Sequence, residues 1–376
     1  MNIYFDNAAT TMVCQEAATA VLRVMRDSYG NPSSPHLMGR TAAKELSEAR
    51  KCIADAVGAE PDEIYFTSGG TESVNWAIQG SAQAQFRNGK HIITSLIEHS
   101  AVLEAIKHLE QIGWDVTYLK PDSLGRISTD DFANALRDDT VFASIMLVNN
   151  ETGAINPISE FSKEIKKRNL KTILHTDAVQ GFGKIPFTVK SLGVDLLSIS
   201  AHKIHGPKGV GALYIKSGTG LHSLFFGGVQ ESKKRPGTEA LPNIVGFGVA
   251  SKIADKELNA TLSSTTELRK YAVDGLKAKL PEIVIIGSGD SPYLLNISLP
   301  GYRSEVIMNF LDNEGIYVSK GSACRKGLRS RVLEAMNLKN DIIDGALRIS
   351  FSRYSTKDEV DLFVSALERA VNTLLK

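Results

Sequence analysis

The sequence predicts an α/β protein: a large domain on a mostly parallel sheet between helices, and a smaller α+β domain. Three observations carry this reading. Between about residues 63 and 215, short apolar runs alternate with helical patterns, as in a parallel sheet covered on both faces. Past about residue 255 the alternation gives way to a charged helix, separated strands and a closing amphipathic helix. Finally, 376 residues are too many for one minimal core and suit two domains. The expected division is 15–255 for the large domain, with 1–14 and 256–376 forming the small one.

Taken in order, Tyr4 and Phe5 begin an extended piece ending in the run Asp6–Thr11. Gln15–Arg26 has helical spacing, and Gly30–Pro35 is a loop of turn formers. Arg40–Val57 sets Leu46, Ala49, Ile53 and Ala56 on one stripe of an amphipathic helix. Strands are then expected at Glu63–Phe66, Ile92–Ser95, Val116–Leu119, Val141–Val148, Thr172–His175, Leu196–Ser200 and Gly211–Ile215. Helices fall at Glu72–Ala84, Val102–Ile112, Asp130–Leu136 and Ile158–Arg168. Beyond them come a helix at Ser263–Lys279, strands at Ile283–Ile286 and Leu294–Ser298, a helix at Glu305–Asn313 and a strand at Ile316–Val318. A strand at Leu347–Phe351 and the helix Asp358–Leu375 complete the pattern.

Composition excludes several functions. With 43% apolar and 23% charged residues and a net charge of +1, the chain has no whole-molecule field to draw nucleic acid or an acidic membrane. No apolar run approaches the roughly 18 residues of a membrane helix. The first residues, MNIYFDNAATT, lack the basic-then-apolar order of a secretory signal. Cys14, Cys52 and Cys324 form no CxxC pair and are odd in number, which argues against a disulfide framework and for a reducing, cytoplasmic setting. No metal site is expected.

Chemistry concentrates at strand ends. Leu196–Ile215 reads as strand, polar turn and strand, with Lys203 between His202 and His205 at the turn. Most turn lysines are solvated, but an amine held where its charge is disfavoured can form a Schiff base with an aldehyde cofactor. Phe66–Ser73 is a strand end running through Gly69 and Gly70 into a helix start, which suits a phosphate or a simple cap at Thr71. Neither GxGxxG nor GxxxxGK[ST] is present. Asp177 follows a buried strand, where a carboxylate can hold a heterocycle nitrogen protonated or cap a helix. His99 follows another strand, placed for a structural role or for stacking and proton movement. Cys14 and Cys52 read as packing residues. Cys324 sits in a glycine-bearing loop among Lys320, Arg325, Lys326, Arg329 and Arg331, cations that favour thiolate; the loop reads as a polar surface, a phosphate contact or the seat of a nucleophile, and of the three cysteines Cys324 is the expected nucleophile.

With these residues in view the chain resembles the cysteine desulfurases, class V pyridoxal-phosphate enzymes of the aspartate-aminotransferase fold (fold type I). The matching stretches are DNAATT at Asp6–Thr11, GNPSSPHLMGR at Gly30–Arg40, IYFTSGGTES at Ile64–Ser73 and EHSAVLE at Glu98–Glu104. They continue with VNNETGAINPI at Val148–Ile158, HTDAVQ at His175–Gln180 and SAHKIHGPKGVGALY at Ser200–Tyr214. RPGTEALPNIVG at Arg235–Gly246, GSAC at Gly321–Cys324 and LRISFSRYST at Leu347–Thr356 complete the set, in family order across nearly the whole chain.

The resemblance implies a seven-stranded-type sheet, pyridoxal 5'-phosphate as cofactor and a homodimer with its active site at the subunit interface. Lys203 would carry the cofactor and shuttle the proton at the substrate α-carbon. Asp177 would pair with the ring nitrogen, Gln180 with the ring oxygen, and His99 would stack on the ring and act as acid–base group. Gly70, Thr71, Ser200 and His202 would grip the phosphate, with Thr238 from the neighbouring subunit. Asn150 and Arg348 would bind the carboxylate of L-cysteine. Cys324 would take the sulfur as a persulfide, releasing alanine, and pass it to an acceptor, an Fe–S scaffold or a tRNA-thiolation enzyme, without direct contact to nucleic acid or membrane. A mobile loop would suit that delivery. One departure stands out: the run after Cys324 is short and basic, with no Leu-Glu-Pro-Ser stretch, which bears on the acceptor. The rivals are a selenocysteine lyase or other class V lyase or aminotransferase, and a non-catalytic sulfur-relay protein; the joint presence of Lys203, Asp177, His99 and Cys324 speaks against the last.

Overall fold

A computed structural model describes residues 2–320 and 329–374 of the chain. Its strands, in order, are β1 (Ile3–Tyr4), β2 (Ile64–Thr67), β3 (His91–Ser95), β4 (Asp115–Leu119), β5 (Thr140–Ser144), β6 (Ile173–Asp177), β7 (Leu196–Ser200) and β8 (Gly211–Ile215). β9 (Val284–Ile286), β10 (Leu294–Ser298), β11 (Ile316–Tyr317) and β12 (Ala346–Ser350) follow.

β2 to β8 form the seven-stranded sheet, in the order β2-β8-β7-β6-β5-β3-β4. β8 alone runs against its neighbours; the remaining six strands share one direction. Every residue of β5, β6, β7 and β8 is buried, which is why these segments read as continuous apolar runs rather than alternating ones. Helices cover both faces. The helix Gly70–Gln85 packs Trp76 and Ile78 on one side, while Leu37–Val57 brings Ile53 and Val57 to the core of the other.

β5 ends at Ser144, four residues earlier than the sequence suggests. The apolar run continues to Val148, but Asn149 turns the chain by accepting from the amides of Glu151 and Thr152, both at 2.9 Å. Between Ser144 and Asn149 the Ile145 and Leu147 amides still donate to the β6 carbonyls of His175 (3.3 Å) and Asp177 (2.9 Å), so the ladder loosens past Ser144 and the polar turn ends it.

The C-terminal part holds an antiparallel sheet in the order β12-β10-β9, and β1 pairs in parallel with β11. Residues of the N-terminal segment are stitched to β12: the Ala8 amide donates to Ser350 Oγ at 2.8 Å and Asn7 Nδ2 to the Ser350 carbonyl at 2.9 Å. A 39-residue helix, Leu241–Lys279, runs through residue 255, so no loop marks the expected change of texture. Its first half buries Ile244 and Phe247 in the large core, and its second half buries Leu268, Ala272 and Leu276 with the C-terminal sheet. The sequence reading recovers only the second half. Gly246 and Gly248 look like breakers, yet an added Cβ there would meet Val21 at 2.5 Å and Ala49 at 2.8 Å. They permit close helix packing rather than ending the helix.

Candidate active site

In an open parallel sheet, ligands sit outside the carboxyl ends of the strands. Here the ends of β2, β3, β6 and β7 deliver Gly70, His99, Asp177 and Lys203 to the wall of one cavity of about 520 Å3.

Lys203 closes the single helical turn Ala201–Lys203 after β7. Its Nζ donates to the carbonyls of Ala8 (2.5 Å) and Ala9 (2.6 Å), so the N-terminal DNAATT run is the amine's seat. Two residues on, His205 holds a left-handed φ of 66°, which a non-glycine residue adopts at a cost. Thr11 Oγ1 accepts from its amide at 2.9 Å, and its Nδ1 lies 2.9 Å from the Met12 carbonyl, which holds the turn in place.

Asp177 ends β6 and is 6% exposed, and one oxygen accepts from the Val179 amide at 3.0 Å. Burial pushes this carboxyl up, while the nearby charges of His99 and Lys203 oppose that shift. A carboxylate buried in a cavity wall is costly unless a cation meets it. A protonated heterocycle nitrogen would supply that cation. His99 caps the helix Ser100–Gln111, its Nδ1 accepting from the Ala101 amide at 3.2 Å, which leaves Nε2 as the protonated nitrogen of the neutral ring. Burial lowers its pKa, so the ring is neutral and apolar enough to stack.

Gly70, Thr71, Ser200 and His202, the residues expected at a phosphate, all line the cavity. Gly70 must lack a side chain, because a Cβ would lie 2.9 Å from Val179. Thr71 is exposed at the helix N-terminus, where free amides favour an anion. Burial, followed by the charge of Lys203, drops His202 to about 4. Gln180 Nε2 donates to the Ala8 carbonyl at 2.8 Å. The donor set therefore fits pyridoxal phosphate: an amine for its aldehyde, a buried acid for its ring nitrogen, an amide for its ring oxygen and a helix N-terminus for its phosphate.

Arg348, on β12, is 2% exposed and also lines the cavity. Its Nη1 donates to the Asn150 carbonyl (3.0 Å) and its Nη2 to Asp6 Oδ1 (2.8 Å). Asn150 lines the same wall. Thr238 is exposed and lies outside the lining. Cys324 lies outside the described residues, whereas Arg331 and Val332, just beyond it in sequence, reach the cavity. Cys14 is buried, and Cys52 is half-buried with its thiol pushed up by burial, which disfavours the thiolate there.

Sequence reasoning missed several residues. Asp6, Ala8 and Ala9 were visible only as a motif, without partners. Glu98 is fully buried in the cavity wall; Oε1 accepts from Ser95 Oγ (2.5 Å) and the Met146 amide (2.9 Å), and Oε2 has no hydrogen bond among the described residues. Burial raises it to about 8. Glu151, buried beside it, accepts from Ser330 Oγ at 2.5 Å. Lys184 reaches Gln180, four residues before it, across a turn bent at Gly183 rather than along a helix, so the sequence carries no signal for the contact.

The family model described as aminotransferase class-V matches residues 3–363. The chain is 45% identical to the cysteine desulfurase IscS of Dictyoglomus turgidum, over 99% of this chain and 95% of that one. It is equally similar, at 45%, to the cysteine desulfurase IscS of Methanosarcina thermophila, over 99% and 92%. Among solved structures, a NifS-like protein superposes with a TM-score of 0.95 at 40% identity, covering all of both chains. A structure titled "SspA in complex with cysteine" gives 0.82 at 34%, over 94% of this chain and all of that one. The chain belongs to the class-V aminotransferase family of fold type I pyridoxal-phosphate enzymes, within its cysteine desulfurases.

Proposed function

We propose that this chain is a pyridoxal-phosphate-dependent cysteine desulfurase that converts L-cysteine to L-alanine and carries the sulfur on Cys324. The observation that carries the reading is the convergence of Lys203, Asp177, His99 and Arg348 on one cavity, in a chain 45% identical to named desulfurases. When bound, the cofactor supplies an electron sink that labilises bonds around the substrate α-carbon.

The chain's own residues do the rest. Lys203, steadied by the Ala8 and Ala9 carbonyls, anchors the cofactor aldehyde and then moves the α-proton on its Nζ. Asp177 keeps the ring nitrogen protonated. Arg348, with Asn150, receives the substrate carboxylate. His99 Nε2 is the neighbouring proton donor and acceptor. The Cys324 thiolate attacks the substrate sulfur: an S–S bond forms, the C–S bond breaks, and its electron pair stays with carbon, which takes a proton to give alanine. Balance is met by one thiol plus L-cysteine yielding one persulfide plus L-alanine.

The active unit is proposed to be a homodimer in which Thr238 completes the partner's phosphate site. Supporting this, the segment leading to Thr238 exposes Phe226 at 96% and Val229 at 64%. The sulfur is proposed to pass to an acceptor protein serving Fe–S assembly or tRNA thiolation. The two-domain division at residues 15–255, and a cytoplasmic setting, are proposed on the same grounds as before. Among the described residues no helix is long and apolar enough to cross a membrane.

The test is a product assay with L-cysteine and a reductant. Alanine and sulfide are expected in equal amounts, and Cys324→Ala is expected to abolish both. Normal turnover by that variant would overturn the persulfide route. Lys203→Ala is expected to lose the borohydride-reducible visible band of the loaded protein.

A further inference from the structure

Behind Lys203, away from the main cavity, lies a small space of about 30 Å3 walled by Lys184, Lys203, His205, Tyr293 and Arg353. Lys184 is 7% exposed and sits 5.9 Å from the centre of the Tyr293 ring. Burial, followed by the positive charges of Lys203 and Arg348, pulls its ammonium down to about 7. His205 and Arg353 across the small space add no negative charge. An aliphatic side chain in this place would avoid the desolvation cost altogether. A lysine here therefore calls for a role beyond packing.

The hydrogen bonds supply one. Lys184 Nζ donates to Gln180 Oε1 at 3.1 Å, and Gln180 Nε2 donates to the Ala8 carbonyl at 2.8 Å. The Ala8 carbonyl also receives Lys203 Nζ at 2.5 Å. An ammonium offers only donors and a carbonyl only accepts, so the two neighbours of the Gln180 amide force the same orientation on it. Nε2 has a second hydrogen left for whatever occupies the cavity that Gln180 lines. The backbone puts Lys184 there through Gly183, whose φ of 66° and tight fit against Ala254 and Ile204 favour glycine.

We propose that Lys184 is a positioning residue, locking the Gln180 amide so that a donor rather than an acceptor faces the ring oxygen of the cofactor. This rests on the pyridoxal-phosphate reading above. Without the lock only the Ala8 carbonyl, already shared with Lys203 Nζ, opposes a turn of the amide that would bring its oxygen to the ring oxygen and disfavour negative charge there. The ring oxygen and the nitrogen attached to Lys203 then hold their shared proton more tightly.

The experiment is a pH titration of the visible absorption band of the cofactor-loaded protein, with no turnover involved. Lys184→Met is expected to raise the midpoint by about one pH unit. In a Gln180→Ala background the same substitution is expected to add less than about 0.3 unit, the signature of two residues acting as one. Lys184→Gln, which keeps an N–H donor without the charge, is expected to stay near the parent midpoint, and it serves where the methionine variant folds poorly. An unmoved midpoint in Lys184→Met overturns the proposal. So does an equal shift with and without Gln180, or a glutamine variant that behaves like methionine, since either points to a bare charge effect on Lys203. A parent protein with no visible band at all sinks the cofactor reading and this proposal with it, whereas a normal parent band with unshifted variants sinks this proposal alone.

Discussion

Glu98 and Asp177 show how single residues in this cavity depend on what surrounds them. Both are buried carboxyls whose pKa is raised chiefly by burial. Asp177 faces a cavity suited to a cationic ring, whereas Glu98 keeps Oε2 without a hydrogen bond among the described residues. Unfolded, Glu98 would release its proton near 4.3; folded, it holds it to about 8. Its contribution to stability is full below the unfolded value and is lost as pH rises through the folded one. Glu98→Gln is therefore expected to melt progressively higher than the parent as pH rises from about 5 to 8, measured by thermal denaturation of the cofactor-free protein. A constant gap between the two curves would show that Glu98 is ionised in the fold. Asp177→Ala is expected to bind cofactor at least about tenfold more weakly, measured by spectral titration, because a protonated ring would lose the carboxylate proposed to meet it. Lys203, Asp177 and His99 were legible as candidates because strand-end placement and residue type coincide. Asp6 and Lys184 were not, because their partners, Arg348 and Gln180, become neighbours through chain reversals that no local pattern records.

Among the elements, β5, β6 and β7 are tied by a side-chain ladder as well as by their backbones. His175 lies between Ser144 Oγ, 2.8 Å from Nδ1, and Ser198 Oγ, 2.9 Å from Nε2. Burial drops its pKa to about 3, so the fold keeps the ring neutral where the unfolded chain, near 6.5, takes up a proton. Stability from this group is present above 6.5 and is lost as pH falls from there toward 3. His91, His202 and His205 are depressed as well and act in the same sense. His175→Leu is expected to lower the melting temperature at neutral pH by leaving two buried hydroxyls unpaired, about 1–3 kcal/mol each. The same variant is expected to lose less between pH 7 and 5 than the parent does. A parallel loss would locate the acid sensitivity elsewhere. The strands themselves were legible, since buried parallel strands are bare apolar runs. The front half of Leu241–Lys279 was not, because glycines chosen for close helix contact look like breaks when their neighbours are out of view.

For the whole molecule, the largest exposed side chains matter. Phe225, Phe226 and Val229 lie in the segment before Thr238, and water is a poor neighbour for them. If the protein is the homodimer proposed above, Phe226→Asp is expected to shift it toward monomer in sedimentation and to lower its cofactor occupancy; an unchanged dimer would place the interface on another face, and a monomeric parent would overturn the dimer proposal. The parallel sheet and the strand-end site followed from the order of the chain, but the sharing of one long helix between two cores did not, because alternation reports local order rather than how far an element extends.

The stitching of residues 6–8 to β12 has a consequence for how the protein is made. Residues 6–8 provide the seat of Lys203 and the partner of Arg348, yet β12 lies some 340 residues downstream. Closing so long a loop is slow, and it cannot begin until β12 has been synthesised. Residues 6–8 therefore wait without their β12 partners while the intervening chain is translated. The wall of the cavity that Arg348 forms closes only once β12 has been made.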